Sequence, residues 1–477
     1  MIFTKNVLFR SMSLGLLALT FACNSDDNST RDDEGFRIIP PTAATPLIKP
    51  TAFYIANEDW FGHDEGTVNQ LDYALQPQYR IYRAANSGKK LGTTLAYATA
   101  YGDYYYFVSK QRNRFVVTDK NFKEVKTLED INGDGRAFVG VSDSKGYIST
   151  GNGITIFDIK NLKTAGTIAD VAGQTGNMVY ADGKVYAVVQ GKGLVIIDTK
   201  TDEVKITLAG NYTQVTIDRH GVIWAGKEKE LIRINPKDYN DIKSYDIAPS
   251  NIPGTWGAWN AGSLTASMQE DALYWVSDAG AWGGGNKVGK FDTTTGTLNT
   301  EFHLLGNDAD GNELTFYGAG LRVDPFNGDI VLLIKKNGWG PNGGYNWTRI
   351  LSNSGAKKGE IFMQGGEAND KNGHYWFPSM PFFQDNNAPE ILPNQIVLKP
   401  NKEFSVSIGE VIVDQDSPLG LIEKTITKFD STFGTAVIEN DKLIFNTNDK
   451  TGKSSITIRA NSNGKVVEKD IELWVRN

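Results

Sequence analysis

Cysteine and histidine are scarce in this sequence of 477 residues. A single cysteine, Cys23, excludes any disulfide within the chain. The four histidines are few for a metal site or for an acid–base enzyme that relies on imidazole. From residue 51 onward, no convincing run of apolar residues follows helical spacing. The 16 prolines are too few for a proline-rich linker protein. These absences argue against a helical fold and against a low-complexity chain.

The composition is that of a folded protein with many tight turns. Apolar residues make up 40% of the chain and aromatic residues 11%, including ten tryptophans, which is enough buriable surface for a core. The 50 glycines exceed the usual share of ~7% and favour frequent turns. The length predicts two or three domains of roughly 150 residues each. The net charge of −7 opposes binding to nucleic acid or to an anionic bilayer and favours a neutral or cationic ligand.

The N-terminal region has the pattern of a bacterial lipoprotein signal. Lys5 and Arg10 are basic, residues 11–22 form a short and mostly apolar run, and Cys23 follows the small Ala22. The apolar run is shorter than the ~20 residues that span a bilayer. We therefore predict a signal peptide over residues 1–22 and lipidation of Cys23. The alternative is an ordinary signal peptide that is cleaved nearby.

The segment after Cys23 predicts both a location and a tether. Residues 24–27, Asn-Ser-Asp-Asp, resemble the acidic export tag that directs lipoproteins of Bacteroidetes to the outer face of the outer membrane. That resemblance implies a protein that faces the extracellular side and contacts the membrane through its lipid anchor only. Residues 23–50 are rich in Asp, Ser, Thr and Pro, so we expect a flexible tether there.

A repeated four-strand pattern fills most of the chain. Its clearest unit, residues 177–208, reads as two strands around an Asp-Gly turn, a loop, a third strand ending in Asp198, a Thr-Lys-Thr-Asp turn and a fourth strand. Each unit has an aromatic or branched anchor in its predicted second strand; the anchors are Tyr54, Tyr106, Ile148, Tyr186, Trp224, Tyr274 and Val331. Their mean spacing of about 46 residues is close to the ~40–50 residues of a four-stranded propeller blade.

The repeats predict an all-β fold with a seven-bladed β-propeller over residues 51–383. The first unit lacks a strand ahead of its anchor, and residues 377–383 form a strand-like piece without partners after it. We expect this piece to supply the missing inner strand of the first blade and to close the ring, which removes exposed sheet edges. The alternative is a pair of β-sandwiches.

A second domain is predicted at the C-terminus. Residues 384–389, Gln-Asp-Asn-Asn-Ala-Pro, read as a linker. Residues 390–477 contain several short strand-like runs with frequent turn signals, which favours an immunoglobulin-like or cadherin-like β-sandwich. We expect this domain to act as a spacer or as a module that docks a partner.

Aromatic residues concentrate in long loops at one predicted face of the propeller. In an antiparallel blade, the loop between the second and third strands and the connection to the next blade emerge on the same face. The long loops belong to blades five, six, seven and one, which are consecutive around a closed ring. The predicted ligand-binding residues on this rim are Trp60, Phe61, Trp256, Trp259, Trp282, Trp339, Tyr345 and Trp347. Such a set suits a broad, flat and partly polar ligand, and the alternative is that each ring packs beneath its own loop.

The sequence contains no nucleophile elbow, Walker loop or His-Glu-x-x-His motif. His63 and His374 lie in loops near the same rim, either as a pair above a ligand metal or as solvated side chains. Asp130, Asn132 and Asp134 match the start of a calcium loop, but Val141 stands where the closing Glu is needed, so an Asx-rich turn is the alternative. We predict no catalytic residue, no cofactor and no protein-bound metal.

The first blade resembles a known family. Its opening, residues 52–58 with the sequence Ala-Phe-Tyr-Ile-Ala-Asn-Glu, follows a lipoprotein tether directly. This opening and the blade pattern over residues 51–383 resemble the YncE-like and DUF5074 surface propellers of Bacteroidetes. Among these, BtuG-type lipoproteins capture cobalamin outside the cell and pass it to a TonB-dependent outer-membrane transporter. The added C-terminal domain and the enlarged loops of blades six and seven depart from the family pattern.

These features together predict a non-catalytic lipoprotein of the cell surface that binds a small molecule and no nucleic acid. The resemblance implies capture of a nutrient, cobalamin or a related corrinoid first, for a TonB-dependent transporter. One alternative is a glycan-binding or adhesion protein, because aromatic platforms also stack on sugars. An alternative from another class is a propeller lyase or lactonase, for which convergent carboxylates or histidines are expected at the central channel.

Overall fold

Strands account for almost all of the regular structure. A computed structural model describes residues 36–41, 45–256, 260–279, 284–363 and 376–477. Within these ranges the one α-helix, α1 at Ile81–Ala85, has five residues. Short 3-10 turns lie at Gly340–Gly344, Ile408–Glu410, Leu419–Leu421 and Ser431–Phe433. The all-β prediction is confirmed. No helix in the described part of the chain combines the length and the apolar character needed to cross a bilayer.

Seven four-stranded antiparallel sheets follow β1 (Arg37–Ile39) along the described chain. The strands of sheets one to four are β2 (Ala52–Asn57), β3 (Thr67–Asp72), β4 (Pro77–Gln78); β5 (Thr93–Tyr101), β6 (Tyr104–Gln111), β7 (Phe115–Thr118), β8 (Glu124–Leu128); β9 (Gly135–Gly140), β10 (Lys145–Thr150), β11 (Gly153–Asp158), β12 (Lys163–Thr167); and β13 (Thr175–Ala181), β14 (Lys184–Val189), β15 (Gly193–Asp198), β16 (Glu203–Ala209).

The strands of sheets five to seven are β17 (Gln214–Ile217), β18 (Ile223–Lys227), β19 (Glu230–Asn235), β20 (Asp238–Asp246); β21 (Thr265–Ala266), β22 (Ala272–Ser277), β23 (Lys287–Asp292), β24 (Leu298–Leu304); and β25 (Leu314–Val323), β26 (Ile330–Lys336), β27 (Asn346–Leu351), β28 (Lys357–Met363). A later strand, β29 (Pro378–Phe383), completes sheet one in the order β29-β2-β3-β4.

The sheets form a closed, propeller-like ring around a central channel. The innermost strand of each sheet contacts the innermost strand of the next, in the order β29, β5, β9, β13, β17, β21, β25 and back to β29. Buried apolar side chains fill the space between neighbouring sheets. For example, Phe107 of sheet two packs on Phe382 of β29 with 5.7 Å between their ring centroids. Closure of the ring leaves no free inner edge for another chain to pair with.

The local sequence pattern explains how each sheet is built. All seven predicted anchors lie in the second strand of their sheet, in β2, β6, β10, β14, β18, β22 and β26. The Asp-Gly turn of the clearest repeat joins β13 to β14, where Asp182 and Gly183 have positive φ angles of 49° and 73°. A two-residue hairpin turn requires this backbone, which glycine adopts without steric cost. The segment expected to close the ring forms β29, which pairs antiparallel with β2 and sets Phe382 opposite Tyr54.

The C-terminal residues form three further sheets. Their strands are β30 (Glu390–Ile391), β31 (Gln395–Leu398), β32 (Glu403–Ser407), β33 (Ile412–Val413), β34 (Glu423–Phe429), β35 (Gly434–Glu439), β36 (Lys442–Thr447), β37 (Gly452–Ser462) and β38 (Lys465–Val475). The sheet orders are β1-β31-β38-β37-β34, β32-β36-β35 and β30-β33. One hydrophobic core lies between the two larger sheets and includes Phe404, Phe445 and Ile458. We refer to this unit as the C-terminal sandwich.

The prediction of a flexible tether over residues 23–50 is wrong for residues 37–39. These residues form β1, which pairs antiparallel with β31 at the edge of the C-terminal sandwich. Phe36 is 4% exposed and stacks on Phe404 with 5.4 Å between ring centroids. Ile38 is buried in the same core. Local composition did not reveal this strand, because its few apolar residues find their partners only at the other end of the chain.

The C-terminal sandwich packs against one face of the ring. That face, the sandwich face, is formed by the loops between the first and second strands of the sheets. The backbone carbonyl of Asn463, in the turn between β37 and β38, accepts a hydrogen bond of 2.8 Å from the Gly102 N–H. The Tyr180 hydroxyl, at the end of β13, donates to the Glu423 carboxylate. The opposite face, formed by the loops between second and third strands and by the connections between sheets, is the aromatic face.

Candidate functional site

The predicted ligand-binding residues that the structure describes lie at the aromatic-face ends of their sheets. Trp60 and Phe61 lie between β2 and β3, Trp256 lies between β20 and β21, Trp339 and Tyr345 lie between β26 and β27, and Trp347 is the second residue of β27. Trp259, Trp282 and the predicted lipidation site Cys23 lie outside the described residues. The structure therefore locates six of the eight predicted residues. Five of them fall into three groups, and the sixth, Phe61, is exposed in the loop beside Trp60.

Trp60 and Trp339 meet around two residues that the sequence analysis missed. Tyr317 in β25 and Phe377 just before β29 are buried, and Trp60 packs against them. The ring centroid of Trp339 lies 6.2 Å from that of Tyr317 and 6.3 Å from that of Phe377. Trp339 is nevertheless 60% exposed. These four residues form the aromatic cluster, and His63 extends it by stacking on Trp60 with 3.7 Å between ring centroids.

The loop that presents Trp339 depends on glycine. Trp339 caps the 3-10 turn Gly340–Gly344, which begins with Gly340 and Pro341. A Cβ atom at Gly343 would lie 2.2 Å from the Phe377 ring, so only glycine permits this approach. The run Gly-Trp-Gly-Pro-Asn-Gly-Gly thus folds tightly over Phe377 and leaves the indole of Trp339 at the surface.

A buried lysine lies beneath the aromatic cluster. Lys335 is 3% exposed, and its Nζ donates to the backbone carbonyls of Lys336, at 3.0 Å, and Gly338. Its ammonium lies 5.5 Å from the ring centroid of Trp339 and 5.8 Å from that of Phe377. Burial lowers the pKa of Lys335 to about 8. The cation fixes the loop through its carbonyls and supports the Trp339 ring from below.

A buried carboxyl group lies on the other side of the aromatic cluster. The Tyr317 hydroxyl donates a hydrogen bond to the Glu58 carboxylate. Burial raises the pKa of Glu58 to about 7, against the opposing effects of hydrogen bonds with Tyr317 and Thr94 and of the positive charge on Lys110. Near neutral pH this carboxyl group is therefore partly protonated, and the base of the aromatic cluster carries little negative charge.

Tyr345 and Trp347 form a second group at the outer edge of sheet seven. The Phe362 ring lies 5.3 Å from Trp347 and 6.5 Å from Tyr345, measured between ring centroids, and Phe362 is 46% exposed. The Lys336 ammonium lies 5.2 Å from the ring centroid of Tyr345. Trp347 also packs against the core between sheets six and seven. This group has its own packing partners and is separate from the aromatic cluster.

Trp256 forms the third group and lines a cavity of about 440 Å³ near the channel mouth. The other side chains around this cavity, which we call the basic pocket, include Lys110, Asp134, Arg136 and Gln174. The Arg136 guanidinium donates a hydrogen bond of 2.9 Å to the Gln174 amide oxygen. Lys110 links this pocket to the aromatic cluster, since its charge acts on Glu58. Sequence spacing gave no sign of the basic pocket, because sheets two, three and four and the connection to sheet six all contribute to it.

The other predicted candidates have ordinary structural partners. The Asp130 carboxylate accepts a hydrogen bond of 3.1 Å from the Asn132 N–H, which makes an Asx turn, and Asp134 lies 3.8 Å from the Arg114 guanidinium. His374, the proposed partner of His63, lies outside the described residues. Among the described residues, no group of three or more His, Cys, Asp or Glu side chains is placed to hold a metal ion.

The ring of sheets and the aromatic cluster define a β-propeller-like protein. The family model for DUF5074, a domain of unknown function, matches residues 51–384, and the chain belongs to this family. No curated protein matches the chain.

Two solved structures from Bacteroides thetaiotaomicron match the chain. One is a quinonprotein alcohol dehydrogenase-like protein, with a TM-score of 0.51 and 14% identity over 66% of this chain and 76% of its own. Another is the extracellular domain of a protein named as a one-component system, with a TM-score of 0.40 and 13% identity over 93% of this chain and 58% of its own. The first likeness shows a shared fold and nothing about activity.

Proposed function

We propose that this protein is a non-catalytic receptor of the cell surface, a seven-bladed propeller that binds a small nutrient molecule on its aromatic face. The observation that supports this most is the aromatic cluster. Trp339 exposes 60% of its surface, while its ring is held by Phe377 and Lys335. A rigid, exposed ring offers contact area at a low entropic cost of binding. Phe61, which is 57% exposed, adds apolar surface in the loop beside Trp60.

Cobalamin or a related corrinoid is the favoured cargo, and a TonB-dependent transporter is the proposed partner. The resemblance to BtuG-type lipoproteins supports this choice. The exposed ring of Trp339 also supports it, because a corrin ring offers a broad planar face for an aromatic ring to contact. Partial protonation of Glu58 beneath Tyr317 reduces the negative charge that would repel a phosphate-bearing ligand.

The position of β1 supports an outward orientation of the aromatic face. We propose that Cys23 carries the lipid anchor and that the C-terminal sandwich, of immunoglobulin-like type, is a spacer near the membrane. Twelve residues lie between Cys23 and Phe36, and such a segment spans at most about 45 Å. Because β1 belongs to the sandwich and the sandwich covers the opposite face of the ring, the aromatic face is directed away from the anchor.

Isothermal titration of the purified protein with cyanocobalamin tests the proposal. We expect binding at micromolar protein and a loss of about tenfold or more in affinity for Trp339→Ala, as for a central aromatic contact. Trp474→Ala is the matched control: this half-buried tryptophan of the sandwich lies under Lys453 and Arg476, far from the aromatic face in the fold. Absence of binding heat excludes this cargo. Equal losses for both variants contradict a binding role for Trp339.

A glycan array separates corrinoid capture from sugar binding. If the array gives hits that Trp339→Ala abolishes, and if no corrinoid binds, then the cargo is a glycan. The aromatic face remains the binding site in that case. An array without hits removes the glycan alternative. Deletion of residues 388–477 is unsuitable for separating adhesion from ligand binding, because β1 and the ring both contact the sandwich.

A catalytic function of lyase or lactonase type has less support. The innermost strands, over the residues that the structure describes, contain no Asp, Glu or His. Glu58 is the best candidate for a general acid, since its pKa of about 7 suits proton transfer at neutral pH. If the protein turns over a lactone or an acidic polysaccharide, and if Glu58→Gln abolishes this turnover, the protein is an enzyme and the receptor proposal is wrong.

A further inference from the structure

The basic pocket has a charge opposite to that of the protein as a whole. The full chain carries a net charge of −7. Among the described residues, the charged side chains that line the pocket are two cations, Lys110 and Arg136, and one carboxylate, Asp134. The Arg114 guanidinium lies 3.8 Å from the Asp134 carboxylate and offsets its negative charge. An acidic protein thus presents positive charge in this pocket.

Strand order brings the lining residues together at the aromatic face. Lys110 lies near the end of β6 and Arg136 near the start of β9, and both of these strand ends are at that face. Gly151 and Asn152 form the turn between β10 and β11, and Gln174 directly precedes β13. These segments surround one cavity of about 440 Å³, a volume within the ~300–1,000 Å³ that is usual for ligand pockets.

Arg136 is held in the pocket wall by a chain of side-chain hydrogen bonds. Its guanidinium donates to Gln174 Oε1 at 2.9 Å, and Gln174 Nε2 donates to Gln190 Oε1 at 3.0 Å. Arg136 is 6% exposed. A Cβ atom at Gly151 would lie 3.8 Å from Arg136 Nη2, so the backbone of the β10–β11 turn packs beside the guanidinium. A guanidinium fixed in this way loses little conformational freedom when a ligand binds to it.

Lys110 supplies a charge that no carboxylate fully neutralises. Its side chain is partly buried, and in the part of the chain that the structure describes its ammonium group forms no hydrogen bond or ion pair. The charge of Lys110 acts on Glu58, but the pKa of Glu58, about 7, leaves that carboxyl group only partly ionised near neutral pH. A cleft with an excess of one charge attracts ions of the other sign.

Trp256 adds an aromatic wall to the same pocket. Its half-buried ring packs against the core between sheets four and five. A Cβ atom at Gly254 would lie 3.0 Å from Trp256 Cδ1, so the indole also packs closely on the backbone of its own loop. A ring held in this way beside two cations suits a ligand in which an acidic group adjoins a planar surface.

We propose that the basic pocket binds an oxyanion, a phosphate or carboxylate group, through the Arg136 guanidinium and the Lys110 ammonium. The planar fork of a guanidinium matches the paired oxygens of an oxyanion, and an ammonium group adds a point charge. A free anion and the acidic group of a larger ligand share this chemistry, and the position of Trp256 favours the larger ligand. The site is separate from the aromatic cluster, so the inference depends neither on a corrinoid cargo nor on Trp339.

Equilibrium dialysis of the full-length protein with radiolabelled phosphate tests the site, with ionic strength held constant by sodium chloride. The wild type is expected to bind one phosphate per chain. Arg136→Lys is expected to bind at least about tenfold more weakly, because a lysine lacks the fork. Lys110→Met is expected to weaken binding by a similar factor, because a hydrogen bond to a charged group is lost. Arg233→Met is the matched control and is expected to bind like the wild type, since Arg233 pairs with Asp241 at 3.1 Å in sheet five.

Two further measurements complete the test. Thermal unfolding without phosphate is expected to give the same Tm for Lys110→Met and the wild type within a few °C, because Lys110 has no hydrogen bond to lose, so weaker binding by this variant reports on the site. Isothermal titration with phenyl phosphate distinguishes the sources: binding at least about tenfold tighter than that of phosphate identifies the acidic group of a larger ligand, and equal binding identifies a free anion.

Two results would overturn the proposal. One is that the wild type binds neither phosphate nor phenyl phosphate stoichiometrically. The other is that Arg136→Lys and Lys110→Met both bind these anions as tightly as the wild type and the Arg233→Met control do. Either result leaves the proposed receptor function standing, because that proposal is tested at Trp339 with cyanocobalamin.

Discussion

The hydroxyl of Tyr317 donates a hydrogen bond to the carboxylate of Glu58, and this bond joins sheet seven to sheet one beneath the exposed ring of Trp339. The Glu58 N–H also donates to the carbonyl of Phe377, at 3.0 Å, just before the closing strand β29. The place where the ring closes is therefore also the place where the aromatic cluster forms. Anything that loosens closure of the ring is expected to disturb the proposed ligand surface.

Glu58→Gln is expected to flatten the dependence of stability on pH. Burial raises the pKa of Glu58 from 4.5 to about 7, so between these values the folded protein binds more protons than the unfolded chain. The free energy of unfolding therefore falls as the pH rises through this window and levels off above it. The variant lacks this titration, and the difference across the window is expected to be on the order of 2–3 kcal/mol. Denaturant midpoints measured from pH 4.5 to 8 provide the comparison.

Two further variants control the pH experiment. Tyr317→Phe removes a hydrogen bond that lowers the pKa of Glu58, so its stability is expected to fall more steeply in the same window. Glu301→Gln removes a side chain that is 56% exposed and is expected to follow the wild type. A wild-type profile that Glu58→Gln leaves unchanged would show that Glu58 does not titrate in this range.

Phe36→Ala is expected to destabilise the C-terminal sandwich by about 3–5 kcal/mol, the usual cost of removing a buried phenylalanine. Phe36 is 4% exposed and stacks on Phe404 in the core. Leu47→Ala is the matched control from the same N-terminal segment, because Leu47 is 37% exposed. Hydrogen exchange of β31 reports the effect directly. Unchanged protection of β31 in Phe36→Ala would favour the flexible tether that composition predicted.

The sequence predicted what depends on neighbouring residues and missed what depends on distant ones. Alternating apolar residues and the Asp182-Gly183 turn are local signals, and the anchor of every sheet lies in the expected strand. The placement of Trp60 and Trp339 on one face follows from strand order alone. Their contact partners Tyr317 and Phe377 escaped prediction, because one lies in an inner strand and the other is brought in by closure of the ring.

Lys465→Met is expected to cost about 3 kcal/mol, because it leaves a buried carboxylate without its partner. Lys465 pairs with Asp385 where the sandwich meets the ring, and their side chains are 13% and 14% exposed. Adding Asp385→Asn to the Lys465→Met variant is expected to recover part of the lost free energy of unfolding. Lys453→Met, which removes the lysine of an exposed pair with Glu472, is expected to change the free energy of unfolding by less than about 1 kcal/mol. Equal losses for the two lysine variants would contradict a special role for this contact.

Phe382→Ala is expected to open the ring at its closing strand. The Phe382 side chain is 3% exposed, and its ring centroid lies 5.1 Å from Tyr54 of sheet one and 5.7 Å from Phe107 of sheet two. Truncation leaves a cavity between these sheets and is expected to cost about 3–5 kcal/mol. Phe383→Ala, at the half-buried neighbouring position, is the control and is expected to cost less.

The location of the damage distinguishes ring opening from general destabilisation. Hydrogen exchange is expected to show lost protection in β2, β3 and β29 of the Phe382→Ala variant, while β14 and β15 of sheet four keep theirs, since sheet four lies away from the closure. If the aromatic cluster depends on closure of the ring, the same variant also loses binding at Trp339. A uniform loss of protection over all seven sheets would mean that the ring unfolds as one unit and that β29 has no separate role as its closure.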